Sequence, residues 1–247
     1  MWATPSTLAF PQNEFLWNYP AMQPASLLDL ALFTHFLSWE VAAVLFIGFF
    51  YLLLHWKYSI LMGKSGERFV KRKLLELDPA HYVILNDLML PSNGSLKTTQ
   101  IDHVVVSNFG IFVIETKSFS GWIFGNAYDK QWTQVLYRYK QRFYNPLHQN
   151  YAHLKAVESL IRPLFPDVPI SGYIAFPSAD KLQISGTDSV GYATEVVSKI
   201  QKLNAPVISD QEKEKIIEVL SAANIQDKQI RKTHISNARE LKYTRGS

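Results

Sequence analysis

The sequence predicts an α/β domain, a mixed central β-sheet flanked by helices, preceded by one transmembrane helix. Three observations predict it. Residues 100–107 and 111–116 are short runs, apolar at nearly every position and joined by Asn108-Phe109-Gly110. That is the pattern of a hairpin whose strands are covered on both faces. Segments with helical spacing lie on either side of it in the chain, and residues 41–54 form an unbroken apolar run of 14.

Of the 247 residues, 47% are hydrophobic and 19% charged, so most of the chain can bury a core. There is no cysteine, which excludes disulfides, cysteine-ligated zinc and thiol nucleophiles. The net charge of +4 is uneven: residues 1–56 hold three acids (Glu14, Asp29, Glu40) and no Lys or Arg, leaving 57–247 at +7. Such an excess suits an anionic partner, either nucleic acid or a membrane surface.

Taken in order, residues 1–36 are expected as an extracytoplasmic segment, rich in Pro and aromatics, with a short interfacial helix at 27–36. Residues 37–56 are the expected transmembrane helix. Twenty positions at about 1.5 Å each match a hydrocarbon core of roughly 30 Å, and Trp39 and Trp56 bracket them as interfacial anchors. A buried core helix is the competing reading, against which stands the lack of any polar stripe. A cleaved signal peptide would need a positive n-region and a cleavage site, and neither is present. Lys57, Lys64, Arg68, Lys71, Arg72 and Lys73 follow the run, so the positive-inside rule places the N-terminus outside a cell membrane and the remainder in the cytoplasm.

Residues 57–225 are the expected globular domain. Ser65 can cap an amphipathic helix with Val70, Leu74 and Leu77 on its inner face. Glu67 shares that face, which complementing the helix dipole would equally explain. A strand at 82–90 and a loop with Pro91, Asn93 and Gly94 lead into the hairpin. More exposed strands are expected at 122–124 and 132–137. Asn145 as N-cap and Pro146 at the first helical position open a helix to about residue 161. A strand at 168–176 lies between Pro166 and Pro177, and helices at 194–203 and 210–223 close the domain, the second capped by Ser209. Residues 226–247 are expected as a basic, frayed tail.

Three charged residues interrupt the apolar hairpin: Asp102, Glu115 and Lys117. If Asn108 and Phe109 make a two-residue turn, Ser107 pairs with Gly110 and Asp102 lies opposite Glu115, with Cβ atoms about 5 Å apart. Lys117 shares their face, because strand side chains alternate. Two carboxylates so placed repel one another and resist desolvation unless something positive joins them. A divalent cation would resolve that, and Mg²⁺ commonly binds one or two carboxylates, waters and substrate phosphate. Lys117 would orient or deprotonate a water. A buried salt bridge from Lys117 to either acid is the alternative.

The pieces Ser65-Gly66-Glu67, Gln100-Ile101-Asp102-His103, Ile114-Glu115-Thr116-Lys117 and Asn145-Pro146-x-x-Gln149-Asn150 occur in this order. Together with Gly110-Ile111-Phe112-Val113, Gly121 and Trp132, they resemble the nuclease-related domain (NERD) family of the PD-(D/E)XK, restriction-endonuclease-like superfamily. The resemblance covers about residues 63–161, and 168–176 more loosely. It implies Asp102 and Glu115 as ligands of Mg²⁺ or Mn²⁺, with the Thr116 carbonyl a third. It implies Lys117 as catalytic lysine, Glu67 as a residue positioning the metal or its water, and Gln149 as a substrate contact. Where related nucleases carry a Tyr four residues after that Gln, this chain has His153. His103 points away from Asp102 and reads as a packing residue.

The function expected from this is metal-dependent hydrolysis of phosphodiester bonds in nucleic acid, DNA before RNA, by a membrane-anchored protein. Lys130, Arg138, Lys140 and Arg142 would hold phosphates or, equally, form a solvated face. The alternative is a non-catalytic membrane-bound scaffold or nucleic-acid tether on the same fold. A signalling protein with an exported sensor ranks last. No Walker loop, Gly-x-Ser-x-Gly elbow or HExxH is present.

Overall fold

The structure is a computed structural model and describes residues 27–94 and 96–246. The chain divides into two units, Met1–His55 and Trp56–Ser247. In the first, the described residues belong to α1 (Leu27–Leu74), a 48-residue helix that continues into the second unit. Residues 41–54 of α1 have no covered side: the consecutive positions Val44, Leu45, Phe46 and Ile47 are 69%, 68%, 68% and 66% exposed.

The second unit holds two sheets. The first combines β1 (Tyr82–Pro91), β2 (Thr98–Ser107), β3 (Gly110–Thr116), β7 (Ile170–Phe176) and β9 (Val190–Tyr192), in the order β1-β2-β3-β7-β9. β1, β2 and β3 run antiparallel, whereas β7 and β9 run parallel to their neighbours, so the sheet is mixed. The second sheet has the order β6-β5-β4-β8, from β4 (Gly121–Asn126), β5 (Gln131–Leu136), β6 (Tyr139–Tyr144) and β8 (Ala179–Ser185).

Alternation along the central strands explains why they read as continuously apolar. Val104, Val106, Ile111 and Val113 face α2 (Pro146–Ile161) and α4 (Asp210–Ala223). Val105, Phe112 and Ile114 face Val70 and Leu74 of α1 and Val196 and Ile200 of α3 (Ala193–Gln201). Helices thus cover both faces, the arrangement in which parallel pairing is stable. The second sheet joins the first where Ile123, Trp132 and Phe143 pack on Ile174 and Phe176.

The start of α2 follows its sequence closely. Asn145 is fully buried; its Oδ1 accepts from the Leu147 N–H at 2.9 Å, while its Nδ2 donates to the carbonyls of Ala127 (3.1 Å) and Asp129 (2.7 Å). One side chain therefore caps the helix and ties it to the turn after β4. One turn on, Asn150 Nδ2 donates to the carbonyls of Val113 and Tyr173, both at 3.2 Å, clasping β3 and β7 together. Gly172 leaves room for this, since a Cβ there would meet Asn150 Nδ2 at 2.8 Å. Ser209 caps α4 through a capping box with Glu212, as the sequence predicts.

Four expectations are corrected. Among the described residues no helix is long and apolar enough to cross a membrane, so the expected span at 37–56 and its bilayer contact find no support here. The strictly apolar run, residues 41–54, is shorter than the about 20 positions a span requires. The helix expected from Ser65 does not begin there: α1 runs through, and the Ser65 hydroxyl donates to the Met62 carbonyl at 2.9 Å instead of capping. The expected frayed tail forms α5 (Lys228–Gly246), held by Arg231, whose guanidinium grips the Asp87 carboxylate and carbonyl. The sequence also left out β6, β8 and β9, so that of the second sheet only β4 and β5 were expected. The extracytoplasmic assignment of residues 1–26 lies outside the described residues.

Candidate active site

The hairpin register is the one that a two-residue turn gives. Ser107 pairs with Gly110, and the ladder runs on to His103 opposite Ile114. The turn is anchored because Asn108 donates from Nδ2 to the Ile208 carbonyl (3.1 Å) and to Asp210 (2.9 Å). Asp102 and Glu115 come next beyond the ladder. There the Thr116 N–H leaves backbone pairing and donates to Asp102 Oδ2 at 2.8 Å. On its other side β3 is pinned by β7, with the Lys117 N–H donating to the Ala175 carbonyl.

Glu115 is buried at 3% exposure and accepts from three side chains. Lys117 Nζ donates to Oε1 at 2.7 Å, Gln149 Nε2 to the same oxygen at 2.7 Å, and His153 Nε2 lies 3.1 Å from Oε2. Lys117 also donates to Gln149 Oε1 at 2.8 Å, closing a triangle. His153 is in turn held by Thr99, whose hydroxyl lies 2.6 Å from Nδ1. With its proton on Nε2, the ring donates to Glu115 and accepts from Thr99.

The two carboxyls are driven apart in acidity. Burial pushes Glu115 upward, but the Lys117 charge and the His153 hydrogen bond overcome it and hold the group at about 2. Asp102 is raised well above the usual carboxylate range, by burial first and by the Glu115 charge second, against the opposing Thr116 N–H and Lys117. A carboxyl held so by its neighbour is one that a cation would relieve. Its Oδ1 takes no hydrogen bond from the described residues. Among those residues no three His, Cys, Asp or Glu converge as a ligand set. Two carboxylates are too few to enclose an ion, and one bound there would have to keep several waters, as Mg²⁺ or Mn²⁺ does.

The other predicted residues are placed as follows. Gly66 of α1 packs against Ser118, just past β3, so tightly that a Cβ would collide with the Ser118 hydroxyl. This brings Glu67 to the exposed rim, where burial, Asp87 and Glu115 in that order raise its carboxyl; among the described residues it makes no hydrogen bond to the cluster. Thr116 supplies its N–H to Asp102, and its Oγ1 is buried without a partner. His103 points to the far face as expected: it bonds Asn86 at 2.7 Å, and burial lowers it to about 4. Lys140 and Arg142 lie on β6, with Arg138 in the turn before it and Lys130 just ahead of β5; none joins the cluster.

Sequence reasoning missed His153 as a partner of Glu115, and Thr99 as the residue that holds His153. His153 stands four residues after Gln149 on α2, one turn along the same face, and that spacing was the available signal. Thr99 gave none.

Gly66 provides a test of the frame. Gly66→Ala forces α1 away from Ser118 and is expected to destabilise the protein by about 1–3 kcal/mol, read as a lowered urea midpoint. An unchanged midpoint would show that α1 and the end of β3 are not rigidly apposed.

Comparison with known proteins bears on this same region. Residues 62–177 match the family described as nuclease-related domain, NERD. An uncharacterized protein of Bacillus anthracis is 36% identical over 174 residues, which span 70% of this chain and 82% of that protein. A solved structure, the protein of unknown function AF1548, covers 73% of this chain and 97% of its own at 14% identity and a TM-score of 0.28, too low to establish a common fold.

Proposed function

Because this chain belongs to the nuclease-related domain family, we propose that it hydrolyses phosphodiester bonds in nucleic acid, DNA before RNA, at Asp102, Glu115 and Lys117. The observation that carries this is the geometry at the strand ends: Asp102, held by the Thr116 N–H, lies beside the buried Glu115, and Lys117 Nζ joins Glu115 to Gln149. Asp102 and Glu115 would hold Mg²⁺ or Mn²⁺, which when bound supplies charge stabilisation at the phosphoryl oxygens and a more acidic water. Lys117 holds its Nζ where the ammonium can orient a water, and Gln149 fixes the rotamer of both Lys117 and Glu115. His153 and Thr99 keep the second Glu115 oxygen from turning.

The full-length protein with labelled DNA and Mg²⁺ is expected to give shorter products, and EDTA is expected to abolish them. Intact DNA and RNA in the presence of either metal would overturn the proposal. One observation favours a second reading, a non-catalytic tether: Glu115 is already satisfied by Lys117, Gln149 and His153. A tether holds nucleic acid in EDTA with no cleavage when metal is restored.

Membrane association belongs to the same proposal. Residues 41–54 present apolar surface on every side, and burying it is favourable by roughly 25 cal/mol per Å². The basic residues from Lys57 to Lys73 favour the cytoplasmic leaflet. Full-length protein is expected to sediment with anionic lipid vesicles at low salt; recovery in the supernatant would dismiss it.

A further inference from the structure

The second sheet has a face that the proposed chemistry does not use. Ile123, Trp132 and Phe143 point inward, so their neighbours along each strand point out. The register sets these outward residues in rows across β8, β4, β5 and β6. One row reads Lys181, Trp122, Val135, Lys140, and the next Gln183, Phe124, Thr133, Arg142.

This face has two properties that a merely solvated one lacks. First, its centre is aromatic. Trp122 is 49% exposed, although a solvent-facing position in the middle of a sheet asks only for a polar side chain. Its ring centroid lies 6.3 Å from that of Phe124, and Lys181 Nζ sits 4.8 Å from it. Secondly, the charge is of one sign. Cations occupy both edges, and the only acid in the four strands is Asp180, at the irregularity where β8 shifts register against β4. Lys140 and Arg142 are exposed and form no ion pair among the described residues. In sequence α5, which contacts β6, carries six Lys and Arg and one acid, Glu240.

Exposed aromatic rings in mid-sheet with cations along both edges match an unpaired nucleic-acid strand. Bases stack on the rings, and phosphates follow the cations at the edges. A duplex buries its base faces and cannot use the rings.

We propose that the outward face of this sheet binds single-stranded nucleic acid, with Trp122 and Phe124 as the stacking platform and Lys140, Arg142 and Lys181 as phosphate contacts. The inference rests on the nuclease function proposed above and names its substrate class: strands that are unpaired, at least where they cross this face.

Fluorescence anisotropy of the full-length protein in EDTA, with labelled oligodeoxythymidine and a duplex of equal length, tests this. Wild type is expected to prefer the single strand. Trp122→Ala should weaken it about 5- to 100-fold with little change for the duplex, and Trp122→Phe should restore most of the loss. Lys140→Ala with Arg142→Ala should flatten the dependence of log affinity on log salt by about 1.4. Equal binding of the oligonucleotide by wild type and Trp122→Ala, or tighter binding of duplex, overturns the proposal. So does loss of binding to anionic lipid vesicles, and not to oligonucleotide, in the double variant. Cleavage by wild type with Mg²⁺ separates the two ideas. Stacking-dependent binding without cleavage upholds this face and removes the nuclease, whereas cleavage with Trp122-independent binding does the reverse.

Discussion

Lys117→Ala is expected to lower metal-dependent cleavage by roughly 10²–10³-fold, the usual cost of losing one preorganised donor at a reacting centre. The expectation follows from where Nζ sits: 2.7 Å from Glu115 and 2.8 Å from Gln149, and a fifth exposed, so it meets both the buried carboxylate and the solvent side of the cluster. Folding should suffer less than chemistry. Glu115 keeps the Gln149 amide and the His153 ring, so the buried charge is not stranded. Its acidity should weaken, since the Lys117 charge is the largest influence holding it at about 2 against burial. The sign matters for stability. A carboxyl depressed in the folded state stabilises it above its unfolded value and loses that contribution as pH falls through the folded one. With Lys117 gone, this loss moves to higher pH, and acid unfolding should begin earlier than in wild type. Cleavage rates at saturating metal, together with urea midpoints across the acid range, check both parts. Cleavage at the wild-type rate would remove Lys117 from the chemistry and leave it a structural cation.

Trp132→Ala is expected to destabilise the protein by about 3–5 kcal/mol, a large part of the about 5–15 kcal/mol a domain possesses. Trp132 is 1% exposed and lies flat on Gly125, where any side chain would collide with the indole. It meets the edge of Phe143 at 6.2 Å and stacks near Phe176 at 6.5 Å, while Nε1 donates to the Asn126 carbonyl at 2.8 Å. Because Phe176 belongs to the first sheet, the indole holds the two sheets together. Its removal should therefore loosen the second sheet before the first. Urea unfolding followed by tryptophan fluorescence and by far-ultraviolet dichroism should give non-coincident curves in the variant and a single curve in wild type. A shift below 1 kcal/mol would show that the sheets do not depend on this contact.

What the sequence disclosed and what it withheld divide along physical lines. The β2–β3 register was legible because Asn108-Phe109 fixes the turn, and a slip of one residue would turn the apolar positions to the wrong face. The opening of α2 was legible because Asn145 and Pro146 act locally. The second sheet was not. β6 reads Tyr-Lys-Gln-Arg-Phe-Tyr with a single buried position, so its pairing depends on β5 and leaves no apolar period. The continuity of α1 through Ser65 was hidden for a different reason: a serine ahead of an amphipathic run is an ordinary start signal, and here its hydroxyl turns back to the Met62 carbonyl inside the helix. The charged trio of the site stood out against apolar strands. His153 did not, since only the folded packing of α2 over β3 brings its ring to Glu115.

The parallel pairing of β3 with β7 carries a consequence for how the protein comes to be made. Residues 117–169, which include three strands of the second sheet and all of α2, lie between those two partners in the chain. A ribosome therefore releases β1, β2 and β3 long before the strand that completes their sheet, and closing so long a loop is slow compared with forming the local hairpin. For the first part of that interval, until α2 is made, Glu115 has neither Gln149 nor His153. Until α2 docks, Lys117 alone can bind that carboxylate, and Asn150 fastens β3 to β7 only once β7 has also been made. Assembly of the acidic cluster thus waits for α2, and a chain stalled before residue 146 would hold Asp102, Glu115 and Lys117 without Gln149 and His153.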